Sequence, residues 1–183
     1  GTRRRGFGNV VGHVKGVTDM ASLSAWTSQQ FDPTLTWADL EWLCSTTSLP
    51  VLPKGICRPD DARRAVDAGA SGIVVSNHGG RQLDGAPASI EALPAIVQAV
   101  GSRTEVWMDG GIRSGQDVLK AWALGARGTL IGRAMVYGLG AMGEAGVTKA
   151  LQILHKELDV TMAFCGHRQL SQVDRSVLLP GTY

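Results

Sequence analysis

Four short apolar runs, each followed by a stretch with helical patterning, constrain the fold of this chain more than any other feature. They are Leu49-Pro50-Val51-Leu52-Pro53-Lys54, Gly72-Ile73-Val74-Val75-Ser76, Glu105-Val106-Trp107-Met108-Asp109 and Gly128-Thr129-Leu130-Ile131-Gly132. Each is nearly continuous in apolar character, the pattern of parallel strands covered on both faces. The intervening segments carry helix punctuation. Thr36 and Asp39 have capping-box spacing and open a helix through Leu40 and Leu43. Pro59 suits a first helical position, with Asp60 and Asp61 where the dipole favours acids and Gly69 at the stop. Ser89 is placed to cap the next helix, through Leu93, Ile96 and Val97, and Ser114 with Asp117 repeats the capping box. A final helix is expected over Val147–Phe164, with Ala150, Leu151, Leu154, Leu158 and Met162 as its apolar stripe. Ser171 is expected to open a short terminal helix.

Strand then helix, four times over, is half of a (β/α)8 barrel or a small open doubly wound sheet. A complete barrel takes about 250 residues, and this chain has 183. The patterning leaves both architectures open. Residues 1–35 read differently, being rich in Gly, Ser, Thr and Gln. They are expected to form a long loop with at most a short helix over Met20–Trp26, and a loop of that length beside a site is often a mobile lid. Residues 36–183 form the strand–helix domain.

Composition narrows the function classes. No apolar run reaches the length of a membrane-spanning helix. A net charge of +2 is too small to imply nucleic acid, and the basic cluster Arg3-Arg4-Arg5 is short. Cys44, Cys57 and Cys165 are widely spaced, without CxxC or Cys/His ligand spacing, so free thiols in a reducing compartment are expected and no metal site. The chain opens on Gly1 in an arginine-rich stretch lacking an apolar core. That is not a signal peptide, and the sequence is expected to start inside a longer polypeptide.

The polar residues that close the apolar runs are Lys54, Ser76, Asp109 and, just beyond the fourth, Arg133; His78 follows two residues after Ser76. In a barrel, chemistry sits at the carboxyl ends of strands, so this convergence marks a candidate site. His78 and Arg81 lie three positions apart in the glycine-softened stretch Ser76-Asn77-His78-Gly79-Gly80-Arg81-Gln82. An imidazole can take a proton near neutral pH, and a guanidinium can hold a carboxylate with two parallel hydrogen bonds. Asp109-Gly110-Gly111-Ile112-Arg113-Ser114-Gly115 leads from the third run into a helix, and Gly132-Arg133 follows the fourth. Paired glycines bring N–H groups close to an anion, and a helix N-terminus adds a favourable dipole. With Arg113 and Arg133 they form a candidate phosphate cradle. His13, His155 and His167 have no such company.

These motifs resemble the active-site signature of the FMN-dependent 2-hydroxy acid oxidases and dehydrogenases. Phe31-Asp32-Pro33 and Trp37 look closest to the bacterial L-lactate dehydrogenase branch. The resemblance favours the barrel, with this chain as its second half. It implies FMN as cofactor, held by Lys54, Ser76, Asp109, Gly110, Gly111, Ile112, Arg113, Gly132 and Arg133. It implies His78 as the base, with Arg81 and Arg3 on the substrate carboxylate. Lys54 would stand beside the flavin N1–C2=O edge, where reduction builds negative charge. It also implies a companion N-terminal half carrying further flavin contacts, substrate-binding tyrosines and the aspartate that orients the histidine. The expected assembly is a homo-oligomer, a tetramer, in the cytoplasm or loosely on the inner membrane surface. Another FMN- or phosphate-binding barrel, or a non-catalytic half-barrel, would share the phosphate cradle but not the spacing of His78 and Arg81.

Overall fold

A computed structural model of the protein describes Val10 and residues 13–182. The chain divides into two compact units, residues 1–36 and 37–183. In the first, helix α1 (Met20–Gln30) starts at Asp19, whose carboxylate accepts the Ser22 N–H at 2.8 Å, while Ser22 Oγ accepts the Asp19 N–H at 3.1 Å. This reciprocal cap fixes the start of the helix, which runs past the expected end at Trp26, although none of its side chains is buried.

In the second unit, α2 (Trp37–Thr46) precedes β1 (Lys54–Ile56), α3 (Pro59–Asp67), β2 (Gly72–Val75), α4 (Ser89–Val100), β3 (Glu105–Asp109), α5 (Gly115–Ala123), β4 (Gly128–Leu130) and α6 (Arg133–Phe164). The strands pair in parallel, in the order β1-β2-β3-β4. Sequential parallel neighbours, each joined through a helix, form the arc of a barrel wall. Lys54 does not end the first strand as expected. Backbone bonds begin upstream, where the Val51 carbonyl accepts from Ser71 just before β2 and the Pro53 carbonyl from Val74, and pairing continues through Ile56.

Alternation decides which face is covered. Ile73, Val75, Val106 and Met108 are at most 1% exposed and pack with Ala62, Ala65, Leu93, Ile96 and Ala121 of the helices. Full burial of such a side chain stabilises by about 1.5–3 kcal/mol. The opposite face carries Lys54, Val74 and Trp107 in one row of the register and Asp109 with Leu130 in the next. Leu52 and Leu130 are 39% and 41% exposed. Coverage on both faces therefore holds for β2, whose residues are all buried, and fails for β3, which alternates.

Other boundaries also differ from expectation. The last helix starts at Arg133, not Val147, and bends at Met142 and Gly143. Across the bend the backbones of Gly138 and Gly146 meet so closely that neither position has room for a Cβ. Leu151 of the expected stripe is exposed, whereas Leu154 is buried. Ser171 lies in a single 3-10 turn, Leu170–Gln172, followed by another at Arg175–Val177. Among the described residues, no helix is long and apolar enough to cross a membrane.

Candidate active site

β2 runs out of apolar residues at Val75, and the chain turns sharply. His78, Gly79 and Gly80 all take left-handed backbone conformations, with φ of 56°, 67° and 69°. The two glycines adopt this freely, but for His78 it costs of order 1–3 kcal/mol and persists only where the surroundings impose it. Ser76, 1% exposed, supplies part of that constraint, because its Oγ accepts the His78 N–H at 3.0 Å. The Asn77 side chain accepts the Gly80 N–H at 3.2 Å. The turn carries His78 and Arg81 outward, both exposed. Among the described residues, neither ring nitrogen of His78 has a hydrogen-bond partner.

Below the turn, on the open sheet face, Lys54 Nζ lies 2.8 Å from Asp109 Oδ2 and donates to Ser76 Oγ at 3.1 Å. Three neighbouring strands thus meet in one polar cluster. Asp109 Oδ1 is buried and has no hydrogen-bond partner among the described residues. The Cys57 thiol donates to the Ser76 carbonyl at 3.1 Å. Burial pushes the Cys57 thiol above its ordinary value, and the nearby Asp109 carboxylate adds to the effect.

Lys54, His78, Arg81, Asp109, Arg113 and Arg133 line one cavity of about 430 Å³, together with the expected Gly110, Gly111, Ile112 and Gly132. Ser76 lies beneath it, and Arg3 falls outside the described residues. The phosphate cradle is built differently from the expectation in one respect. The Arg113 and Ser114 N–H groups at the α5 terminus already donate to the Asp117 carboxylate, at 3.0 and 2.9 Å, and the Gly115 N–H donates to Glu157 at 2.9 Å. At this mouth a helix end without a side-chain cap is that of α6, whose N-cap is Gly132 and whose first residue is Arg133. An anion at this mouth faces that uncapped first turn and two guanidinium groups. The residues that sequence reasoning missed are Leu130, Ile131, Val136 and Tyr137 on the wall, and Ser89 behind the turn. Only the helix beginning at Arg133 could have pointed to Val136 and Tyr137.

A family model described as FMN-dependent dehydrogenase matches residues 3–180. The chain belongs to that family. It is 55% identical over 158 residues to the L-lactate oxidase of Nostoc sp., covering 86% of this chain and 43% of the relative. It is 48% identical over 172 residues to the L-lactate dehydrogenase of Caulobacter vibrioides, covering 94% and 45%. Among solved structures, the monotopic membrane protein (S)-mandelate dehydrogenase superposes with a TM-score of 0.83 at 37% identity, covering 91% of this chain and 44% of that one. The chain thus spans a little under half the length of these relatives, and its four βα units match part of their barrel.

The site's own chemistry fits the family's cofactor. Buried polar atoms are nearly always paired, and Asp109 Oδ1 is a buried acceptor that a hydroxylated ligand would satisfy. The α6 terminus with Arg113 and Arg133 suits a phosphate, and Lys54 supplies a cation to the same cavity. FMN carries all three complements: a phosphate, a hydroxylated chain and a ring that becomes anionic.

Proposed function

We propose that this chain provides the FMN-holding and proton-accepting part of an enzyme that oxidises an L-2-hydroxy acid, of lactate, glycolate or mandelate type, to the 2-keto acid. The observation that carries this reading is the convergence of His78, Arg81 and Lys54 on the cavity that also bears the anion-holding end at Gly132 and Arg133. When bound, FMN would supply the acceptor for the two electrons and the second hydrogen. Arg113, Arg133 and the first turn of α6 hold the phosphate, and Asp109 Oδ1 accepts from a hydroxyl. Arg81, joined by Arg3, holds the substrate carboxylate and sets the α-carbon beside the base. His78 accepts one of the two hydrogens lost from the α-carbon and its hydroxyl, as a proton. Its ring is exposed and has no hydrogen-bond partner among the described residues, which suits a base that must reach substrate. Lys54, held in place by Asp109 and Ser76, offsets negative charge at the ring.

We further propose that residues 1–35 act as a lid. The open sheet face, with Leu52 and Leu130 exposed, supports coverage by a companion N-terminal half corresponding to the remainder of the relatives. The apolar residues Trp42, Leu43 and Ile153, exposed on α2 and α6, support a homo-oligomer, which we take as a tetramer in the cytoplasm or loosely on the inner membrane.

The test is anaerobic titration of the flavin-loaded protein with lactate, glycolate and mandelate. Bleaching of the yellow flavin band by at least one of them is the expected result. A flavin that stays oxidised with all three, and with longer 2-hydroxy acids, overturns the proposal.

A further inference from the structure

Only two polar side chains among the described residues are fully buried, Ser76 and Ser89, at 1% and 3% exposure. Both hydroxyls serve the same turn. Ser76 Oγ accepts the His78 N–H at 3.0 Å, and Ser89 Oγ accepts the N–H of the adjacent residue, Asn77, at 3.1 Å. Ser89 is the first residue of α4, where the spacing predicts a cap, yet the N-cap is Ala88 and the Ser89 side chain caps nothing. Its hydroxyl points instead at the end of β2. We propose that Ser89 is a positioning residue for the His78 turn. The proposal deepens the reading given above, since it rests on His78 being the base.

The surroundings show why the contact matters. Asn77 extends the lock, accepting the Gly80 N–H through Oδ1 at 3.2 Å and donating from Nδ2 to the Pro87 carbonyl at 3.2 Å. Gly110 closes it from the third strand's loop. A Cβ at Gly110 would fall 2.9 Å from Ser89 Oγ and 3.1 Å from Asn77 Oδ1, so bare backbone forms the wall behind both acceptors. The imidazole makes no bond of its own among the described residues, so the turn's backbone sets the point from which it reaches out. That backbone is left-handed at a non-glycine residue, a conformation that persists only where neighbours hold it. Removing the Ser89 hydroxyl leaves the Asn77 N–H without its acceptor and frees the turn that carries both His78 and Arg81. A displacement of about 1 Å in such a constellation costs on the order of a hundredfold in rate.

The experiment compares the FMN-loaded wild type with Ser89→Ala by hydrogen-exchange mass spectrometry and by steady-state kinetics. Amides of residues 77–80 are expected to exchange at least tenfold faster in the variant, while those inside β2 and α4 keep their wild-type rates. Turnover is expected to fall roughly ten- to a hundredfold, with flavin content unchanged. Asn77→Ala, which leaves Ser89 in place, is expected to leave the Gly80 amide only its bond to the residue 77 carbonyl, to speed its exchange and to lower turnover similarly, so the lock stays testable if Ser89→Ala folds poorly. Unchanged exchange at the turn overturns the proposal. So does acceleration spread through α4, which would mark Ser89 as a core residue only, and so does full turnover alongside a loosened turn. A wild type whose flavin no 2-hydroxy acid reduces overturns the proposed activity instead, and the exchange pattern still decides whether Ser89 holds the turn.

Discussion

The amino ends of the strands enclose a cavity of about 610 Å³ and the carboxyl ends one of about 430 Å³. The first is lined by Ser71, Arg103, Thr104, Glu105 and Arg127 among others, so it too holds charge. There the charges are engaged with one another and with aromatic rings. Arg103 pairs with Asp67 at 2.7 Å, Glu105 accepts from the Trp107 indole at 3.2 Å, and Arg127 lies 5.5 Å over the Trp122 ring. At the carboxyl end, among the described residues, the imidazole has no hydrogen-bond partner, a buried carboxylate oxygen lacks a donor and a helix start has no side-chain cap. Volume does not separate the two ends. Unmet bonding capacity and a left-handed non-glycine residue, His78, do, and both mark places where local stability has been given up for something else.

The sharpest way to break this contrast is a paired substitution. His78→Gln is expected to keep FMN and to lower turnover by roughly 10²–10⁴. Arg103→Gln, at the other end, is expected to leave turnover within twofold and to cost under about 1 kcal/mol in urea unfolding, since its ion pair is exposed. Equal losses of rate from the two variants would show that the ends do not differ in function. Arg81→Lys should come next in size. It keeps the charge but loses the planar fork, so KM for the hydroxy acid should rise about tenfold or more while the flavin spectrum stays unchanged. An unaltered KM would remove Arg81 from carboxylate binding.

The smallest effect concerns cysteines. Cys165 is exposed, whereas burial raises the Cys57 thiol above its ordinary value. A raised value keeps the thiol protonated to higher pH, so Cys57 should resist maleimide at neutral pH and become labelled only as pH rises beyond the usual thiol range. Peptide mapping of the labelled protein reads this directly, and prompt labelling of Cys57 at pH 7 would contradict it.

Much of this contrast could be read from residue order. The apolar runs place β2 and β3 correctly, and the polar residues that follow them do line one mouth, because strand ends in a parallel sheet share a side. What escaped the sequence came from two causes. The first turns of α6 were hidden by Gly138, Gly140, Gly143 and Gly146, which lower helix propensity in any local window. Only contact between segments on either side of the bend shows why glycine stands there. The role of Ser89 was hidden because a serine before an apolar helical pattern has an ordinary local explanation, the cap. Its true partner, Asn77, is twelve residues away. Likewise, the capping box at Ser114 and Asp117 was legible, but not that filling it would occupy the very amides expected to meet an anion.

The crossing of Gly138 over Gly146 has a mechanical consequence. Main chain rests on main chain there, with no side chain between that could change rotamer or repack. The reach from the body of the helical layer to Arg133 therefore behaves like a ruler of fixed length. Drift in the sequence along the rest of α6 can soften or stiffen the protein, while Arg133 keeps its place at the cavity mouth.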